Sequence, residues 1–269
     1  MENDFNPEEL IAEIHKGRNF RSMDQQLTRQ LIVREMHSSN NRKEIVKNVK
    51  SKLYQIASAF RNEKIEDPKL FDSFADQTWQ DQEAVKEQCL RLMKNHASTR
   101  ERMPILEEFY RTIFSNLPPI DSVLDLACGL NPLSIPWMPL EKNFSYEAYD
   151  VFQDLMDLIN AFFHRFQIHG MATQMNLLEN YPRKQAALTL LLKTIPCLEQ
   201  VDKNAGKKIL SQIESKFAVI SFPAHSLSGK NKGMPKNYES HFLEICNPDV
   251  WEIQKILFPS ELVFLIKRK

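Results

Sequence analysis

The groups in this chain best placed for chemistry are carboxylates and a lysine at the ends of short apolar runs. Asp125 lies inside Ser122-Val123-Leu124-Asp125-Leu126, which leads directly into Ala127-Cys128-Gly129-Leu130-Asn131-Pro132. A short apolar run bounded by turn residues reads as a buried strand, and the glycine behind it as a tight loop. In open α/β sheets ligands bind at the carboxyl ends of such strands, so this loop is where a nucleotide-like cofactor would sit. Asp150 closes the next run, Tyr146-Glu147-Ala148-Tyr149-Asp150, about 20 residues on. A carboxylate at that spacing accepts hydrogen bonds from ribose hydroxyls. It also suits an ordinary cap for the helix that follows, and the two roles are compatible.

Three further segments end in polar groups. Asn176-Leu177 follows the third run and could meet the rim of an adenine. Lys193 follows Leu190-Leu191-Leu192; a lysine is rarely buried unless paired, so it is expected to face the cleft or reach past its lip. Ser221-Phe222-Pro223 closes the fifth run and precedes Ser226-Leu227-Ser228-Gly229-Lys230-Asn231-Lys232-Gly233. A small-residue loop carrying Lys230 and Lys232 suits contact with a phosphate backbone, although an exposed loop of no function has the same composition. In His96-Ala97-Ser98-Thr99-Arg100-Glu101-Arg102, the spacing of Ser98 and Glu101 predicts a capping box opening a helix over Met103–Phe114. That would place a helix N-terminus beside Arg102, a seat for a carboxylate; a cap with a surface ion pair reads equally well.

The elements that must hold these groups change character along the chain. From Pro7 to His96 apolar residues recur at three- and four-residue steps, such as Leu27, Leu31 and Ile32 or Ile45, Val49 and Leu53, predicting amphipathic helices. Gly17, Ser38-Ser39-Asn40-Asn41 and Asp67-Pro68 break them. From Val123 onward strands are expected near 123–127, 145–149, 172–175, 187–192, 217–221, 250–256 and 262–266, with helices near 152–167, 202–215 and 238–246. Alternation of this kind implies an α/β fold with a mostly parallel sheet covered on both faces. Leu257-Phe258-Pro259-Ser260-Glu261 is too short for a crossover helix, so the last two strands should pair antiparallel.

Composition narrows the class. With 42% hydrophobic and 26% charged residues among 269, the chain can bury a sizeable core. Its apolar runs are too short to cross a bilayer, and the acidic Met1-Glu2-Asn3-Asp4 does not resemble a secretory signal, so a cytoplasmic protein without membrane contact is expected. Cys89, Cys128, Cys197 and Cys246 are far apart without histidines at ligand spacing, which argues against a disulfide framework and a metal site. Net charge is zero, yet Arg42 to Lys64 carries seven Lys/Arg against two Glu, and Lys203 to Lys236 carries seven Lys against one Glu. Such runs are usually solvated faces; beside a cofactor site they also suit RNA. Arg42, Lys43, Lys47, Lys50 and Lys52 fall largely at helical steps and would form one positive stripe.

The glycine loop resembles that of class I S-adenosylmethionine methyltransferases, with Asn131-Pro132 in place of the second glycine. The segments Cys128–Leu133, His96–Arg102, Ala148–Asp150, Leu191–Gln200 and Ser221–Met234 occur in the same order in the aminoglycoside-resistance 16S rRNA guanine-N7 methyltransferases, the Arm/Rmt group. The resemblance is strong from His96 to Lys269. It implies a Rossmann-like seven-stranded sheet in a methyltransferase domain over residues 98–269, and an N-terminal helical domain over 1–97 that docks on rRNA. It also implies S-adenosylmethionine as methyl donor, the assembled 30S subunit as partner and a decoding-site guanine as target, with aminoglycoside resistance as the outcome. On this resemblance Arg102, with Ser98 or Thr99, holds the methionine carboxylate. Ala127 and Gly129 pass under the cofactor, Asp150 binds the ribose, and Asn176 and Leu177 flank the adenine.

Guanine N7 has an available lone pair and loses no proton on methylation, so no general base is expected and alignment should dominate the rate. In A-form RNA that atom lies in a groove side chains cannot read, so the base is expected to flip out. Phe222, Trp137 and Tyr149 are candidate walls for it, and Lys193 or Ser221 could contact its edge or the adjacent phosphates. A class I methyltransferase of a small molecule or protein is the alternative, and a non-catalytic ribosome-binding module a third reading. No heptad run is visible, and a monomer is expected.

Overall fold

The computed structural model describes residues 5–56, 61, 82–224 and 234–269. Its N-terminal part contains helices whose starts are written in local sequence. In α1 (Pro7–His15) Asn6 Oδ1 accepts from Glu8 N at 3.0 Å, and proline occupies the first position, where no amide is needed. In α2 (Gln25–Met36) Asp24 Oδ1 accepts from Leu27 N at 2.7 Å, and α3 (Arg42–Ile56) follows Asn41, whose side chain accepts from Lys43 N at 3.0 Å. Next come α4 (Gln82–Met93), the short α5 (Ala97–Arg102) and α6 (Leu106–Phe114). The expected break at Asp67-Pro68 lies outside the described residues.

The rest is a seven-stranded sheet: β1 (Ser122–Leu126), β2 (Ser145–Asp150), β3 (His169–Gln174), β4 (Leu188–Leu192), β5 (Phe217–Pro223), β6 (Trp251–Leu257) and β7 (Glu261–Arg268). Their spatial order is β3-β2-β1-β4-β5-β7-β6. The first five run parallel, and β7 enters antiparallel between β5 and β6, as the short connection requires. All five residues of β4 are buried, because a central strand of a parallel sheet is covered on both sides. The intervening helices are α7 (Gln153–Arg165), α8 (Ile195–Leu198), α9 (Ala205–Gln212) and α10 (Met234–Ile245).

Side-chain alternation sorts the strands onto two cores. Val123, Tyr146, Ala148, Leu190 and Val219 face a cluster that also holds Phe162 and Phe163 of α7 and Leu10, Leu31 and Val49 of the N-terminal helices. Leu124, Leu126, Tyr149, Ile220, Phe222 and Phe264 face a second cluster closed by Ile209, Leu210 and Phe242 from α9 and α10. Backbone bonds tie the N-terminal helices to the turn after β2: Asp24 N donates to Val151 O at 2.7 Å, and Gln153 N donates to Ser22 O at 2.8 Å.

Several boundaries differ from the sequence reading. β3 starts at His169 rather than Ala172, because an edge strand with a glycine and half-exposed polar residues shows no apolar run. α10 begins at Met234 rather than Tyr238, in a stretch whose Gly and Pro read as loop. The helix expected over Met103–Phe114 is divided: α5 starts at Ala97 behind His96, a one-turn 3-10 segment spans Met103–Ile105, and α6 follows. No capping box forms. Ser98 lies within α5, Glu101 turns to a lysine described below, and Arg102 ends α5 instead of standing beside a helix start.

Candidate active site

The cleft lies at the carboxyl ends of β1, β2 and β4 and encloses about 890 Å³ including its open mouth. Its floor is the turn after β1. Ala127 and Gly129 have φ of 51° and 52°, the left-handed region. Cys128 N donates to Tyr149 O at 2.9 Å and Asn131 N to Cys128 O at 2.8 Å, which folds the turn back on itself. A methyl group on Gly129 would stand 2.6 Å from a ring carbon of His96, so glycine is required by both conformation and contact. Burial, assisted by the cations Arg61, Arg102, Lys193 and Arg100, pushes His96 down to about 3, and its imidazole is neutral near pH 7.

Asp150 lines the cleft at the end of β2. Its Oδ2 accepts from Gly129 N at 2.9 Å and its Oδ1 from Phe152 N at 3.3 Å, so the carboxylate braces the glycine turn and caps the chain entering α7. Burial raises its carboxyl above the usual range, and these N–H groups work against that rise. Beyond it, Met175, Asn176, Leu177 and Leu178 form one wall. Asn176 donates to Gln30 Oε1 at 3.2 Å and accepts from Leu178 N at 3.1 Å, while Leu27 of α2 and Ile56 of α3 also line the cleft. The N-terminal helices therefore form part of its wall.

At the other end is a buried ionic network. Arg102 Nε and Nη2 donate to the two carboxylate oxygens of Glu261 at 2.7 and 3.0 Å, and its Nη1 donates to Asn131 Oδ1 at 2.8 Å. A guanidinium carries more donors than these bonds use. Asn131 Oδ1 also accepts from Tyr110 Oη at 2.7 Å, and its Nδ2 donates to Asp125 Oδ2 at 2.9 Å. Tyr146 Oη donates to the same Asp125 oxygen at 2.7 Å. Burial lifts Asp125 to about 6, against the bonds from Asn131 and Tyr146 and the Arg102 charge. For Glu261 burial also acts upward, but Arg102 and Lys193 overcome it and hold the carboxyl below its usual range.

Ser98, Arg102, Ala127, Asp150, Asn176, Leu177 and Lys193, which the sequence singled out, all line this cleft. Thr99 and Gly129 are not among the residues that line it; the Thr99 hydroxyl shares its hydrogen between Met93 O at 2.8 Å and His96 O at 3.0 Å, joining α4 to α5. Lys193 does not extend past the lip. At φ 57° its backbone turns inward, and Nζ pairs with Glu101 at 2.8 Å and Glu261 at 3.4 Å, which permits a side chain only 5% exposed. Ser221 is buried, its hydroxyl accepting from Lys193 N at 3.1 Å.

The candidate base-stacking walls are not in the cleft. Phe222 is fully buried in the second core, stacked on Tyr238 at 5.0 Å between centroids and packed edge-on to Phe242 and Phe264. Tyr149 shares that core by alternation, and Trp137 packs against the first core with the Lys86 ammonium over its ring. The proposed positive stripe also narrows. Lys43, Lys47 and Lys50 share one face of α3, continued by Tyr54, which is 50% exposed. Arg42 pairs with Glu13 at 2.7 Å and Lys52 with Glu35, both turned toward other helices. Lys230, Lys232, Gly229 and Gly233 lie outside the described residues.

Sequence reasoning missed Glu261, read as part of a short turn, and the side-chain role of Asn131. Glu261 meets a partner 159 residues away, and no local pattern announces it. Among the described residues no group of three or more His, Cys, Asp or Glu could hold a metal ion, and no helix is long and apolar enough to cross a membrane.

Known proteins are similar to this chain in sequence and fold. A model of the family described as ribosomal RNA methyltransferase (FmrO) matches residues 16–265. The chain is 39% identical over 188 residues to the 16S rRNA (guanine(1405)-N(7))-methyltransferase of Micromonospora rosea, covering 70% of this chain and 69% of that protein. It is 32% identical over 259 residues to a protein of the same description from Frankia casuarinae, covering 95% and 91%. The solved structure of 16S rRNA methyltransferase RmtF in complex with S-adenosyl-L-homocysteine superposes with a TM-score of 0.84 at 26% identity over 99% of both chains. Similarity of sequence and of overall fold thus extends across nearly the whole length, and the chain belongs to the ribosomal RNA methyltransferase (FmrO) family.

Proposed function

We propose that this protein methylates N7 of a decoding-site guanine, the position called 1405 in its relatives, in the 16S rRNA of the assembled 30S subunit, and thereby confers aminoglycoside resistance. The observation that carries this reading is the cleft itself, in a chain of this family. At one end are the charged groups that suit an amino-acid tail, Arg102 and Asp125; at the other, Asp150 suits ribose hydroxyls, and Met175, Leu177, Leu178 and Leu198 offer apolar surface for an adenine. These residues fit S-adenosylmethionine, which supplies a methyl group on a sulfonium when bound.

The chain's own residues bind and orient. N7 attacks through its lone pair and no proton is lost, so alignment of two held reactants, able to contribute roughly 7–11 kcal/mol, is the main resource. Asp150 and the glycine turn form one hydrogen-bonded unit, so a ribose held by Asp150 is placed relative to Gly129. Residues 1–97 serve as the rRNA-docking part, through the Lys43, Lys47 and Lys50 face, and residues 98–269 as the methyltransferase part. The protein acts as a monomer in the cytoplasm.

The test is methyl transfer from labelled S-adenosylmethionine to intact 30S subunits, protein-free 16S rRNA and a metabolite extract, with the modified base mapped by chain cleavage at 7-methylguanine. Label in 30S subunits at one decoding-site guanine is expected. Label in metabolites would instead support a small-molecule enzyme, and binding to 30S without transfer would support a non-catalytic module.

A further inference from the structure

The side chain of Asn131 lies between two opposite charges, Arg102 and Asp125, and is bonded to both. Asn131 is 2% exposed and sits where the general fold would carry a second glycine. Its carbonyl accepts from Arg102 and Tyr110 while its amide donates to Asp125, so one side chain satisfies a guanidinium and a carboxylate through opposite ends. Tyr110 fixes the direction, because a hydroxyl donating to Oδ1 obliges Nδ2 to point at Asp125. Asp125 is 1% exposed and lines the cleft, and its Oδ1 has no hydrogen-bond partner among the described residues. A buried carboxylate oxygen without a partner is costly, and a cationic donor is what would relieve it. Arg102 offers the complement, a charged donor group with N–H capacity beyond what Glu261 and Asn131 use.

We propose that Asn131 is a positioning residue that holds Arg102 and Asp125 apart as a matched cation and anion for a zwitterionic amino-acid group, with the ligand ammonium on Asp125 Oδ1 and its carboxylate on Arg102. This rests on S-adenosylmethionine being the cofactor. Without the spacer the Nη1 edge of Arg102, whose Nε and Nη2 stay on Glu261, turns to Asp125 and closes the seat that the ligand needs. Asn131→Asp retains an acceptor for Arg102 but places a second carboxylate against Asp125; Asn131→Ala removes both links.

The test compares two ligands by titration calorimetry on the full chain: S-adenosylhomocysteine, which has the amino-acid tail, and 5′-methylthioadenosine, which lacks it. For Asn131→Ala and Asn131→Asp the expected result is a loss of roughly ten- to a hundredfold in S-adenosylhomocysteine affinity, the worth of a hydrogen bond to a charged group. The affinity for 5′-methylthioadenosine should stay within about twofold, since none of the altered contacts reaches it. A merely structural role would weaken both ligands alike, and that outcome overturns the proposal, as does an unchanged affinity for both. If Asn131 variants fail to fold, the same comparison on Asp125→Asn decides, with selective loss of S-adenosylhomocysteine expected. Failure of the unaltered protein to bind either ligand would refute the cofactor assignment itself, a result separable from the others.

Discussion

Glu261→Gln removes the carboxylate that neutralises Arg102 while preserving its shape. In the structure Glu261 is fully buried, bonded to Arg102 through both oxygens, and 3.4 Å from Lys193. Lys193 keeps Glu101 after the change, at 2.8 Å, while Arg102 keeps Asn131, a neutral amide oxygen in place of the carboxylate, the charge of Asp125 beyond Asn131, and the face of Phe109, whose ring centre is 4.7 Å from the guanidinium carbon. Leaving a buried charge uncompensated costs about 3–5 kcal/mol, whereas replacing both partners with apolar groups of similar volume is often neutral. For a chain of this size that predicts a fall in Tm of roughly 6–15 °C at pH 7.5 in the absence of ligand. Because the pair is away from solvent, the fall should be nearly the same at low and high salt. Arg102→Met with Glu261→Leu should recover most of the lost stability, giving a large coupling in the double-mutant cycle. Thermal unfolding followed by circular dichroism reads all of this. A Glu261→Gln Tm within about 2 °C of the unaltered protein, under 1 kcal/mol at this size, would show that the ion pair is not the keystone described.

Four other outcomes follow from the same geometry. Gly129→Ala forces a side chain into φ 52° and a methyl group to 2.6 Å from His96, so cofactor binding should fall at least about tenfold on roughly 1–3 kcal/mol of backbone strain plus displacement of the ring, with partial recovery in Gly129→Ala/His96→Ala by calorimetry. Asp150→Ala removes both the proposed ribose acceptor and the brace on Gly129 N, and near-native affinity for S-adenosylhomocysteine would contradict that proposal. Glutamate at Lys43, Lys47 and Lys50 should leave cofactor affinity unchanged while weakening 30S binding and flattening its salt dependence, measured by filter binding across a salt series. The two buried carboxylates should respond oppositely to acid. Glu261, held below its unfolded value of 4.5, contributes stability present above that pH and lost as pH falls through the folded value. Asp125, raised from 3.8 to about 6, favours the folded state most below 3.8 and loses that contribution as pH rises through 6. Since Arg102, Asn131, Tyr146 and Asp150 face Asp125, cofactor affinity should drop below about pH 6 as its charge is neutralised, and Asp125→Asn should flatten that drop.

How far residue order reaches is visible in particular elements. The β1 run and Gly129, Asp150 at the end of the second strand, the seven strands, and the antiparallel last pair are local patterns: short apolar runs bounded by turn residues, a turn needing positive φ, and a connection too short to cross over. The edge strand at His169 and the start of α10 escaped because half-exposed polar residues carry no periodic signal. Phe222 and Tyr149 looked available for stacking because composition does not say which face of a strand a residue takes; one step along the chain reverses it, and only the covering helices fix which face is core. Lys193 could be buried only because Glu101 and Glu261 arrive from segments 92 and 159 positions away from it and from Arg102, respectively. Residue order alone thus determined the strands, the turn and the class of chemistry, since each depends on neighbours a few bonds apart. Tertiary structure alone decided which charges are paired, which aromatic rings are core and which oxygen of Asp125 has no partner among the described residues, because those depend on groups that only folding brings within hydrogen-bond reach.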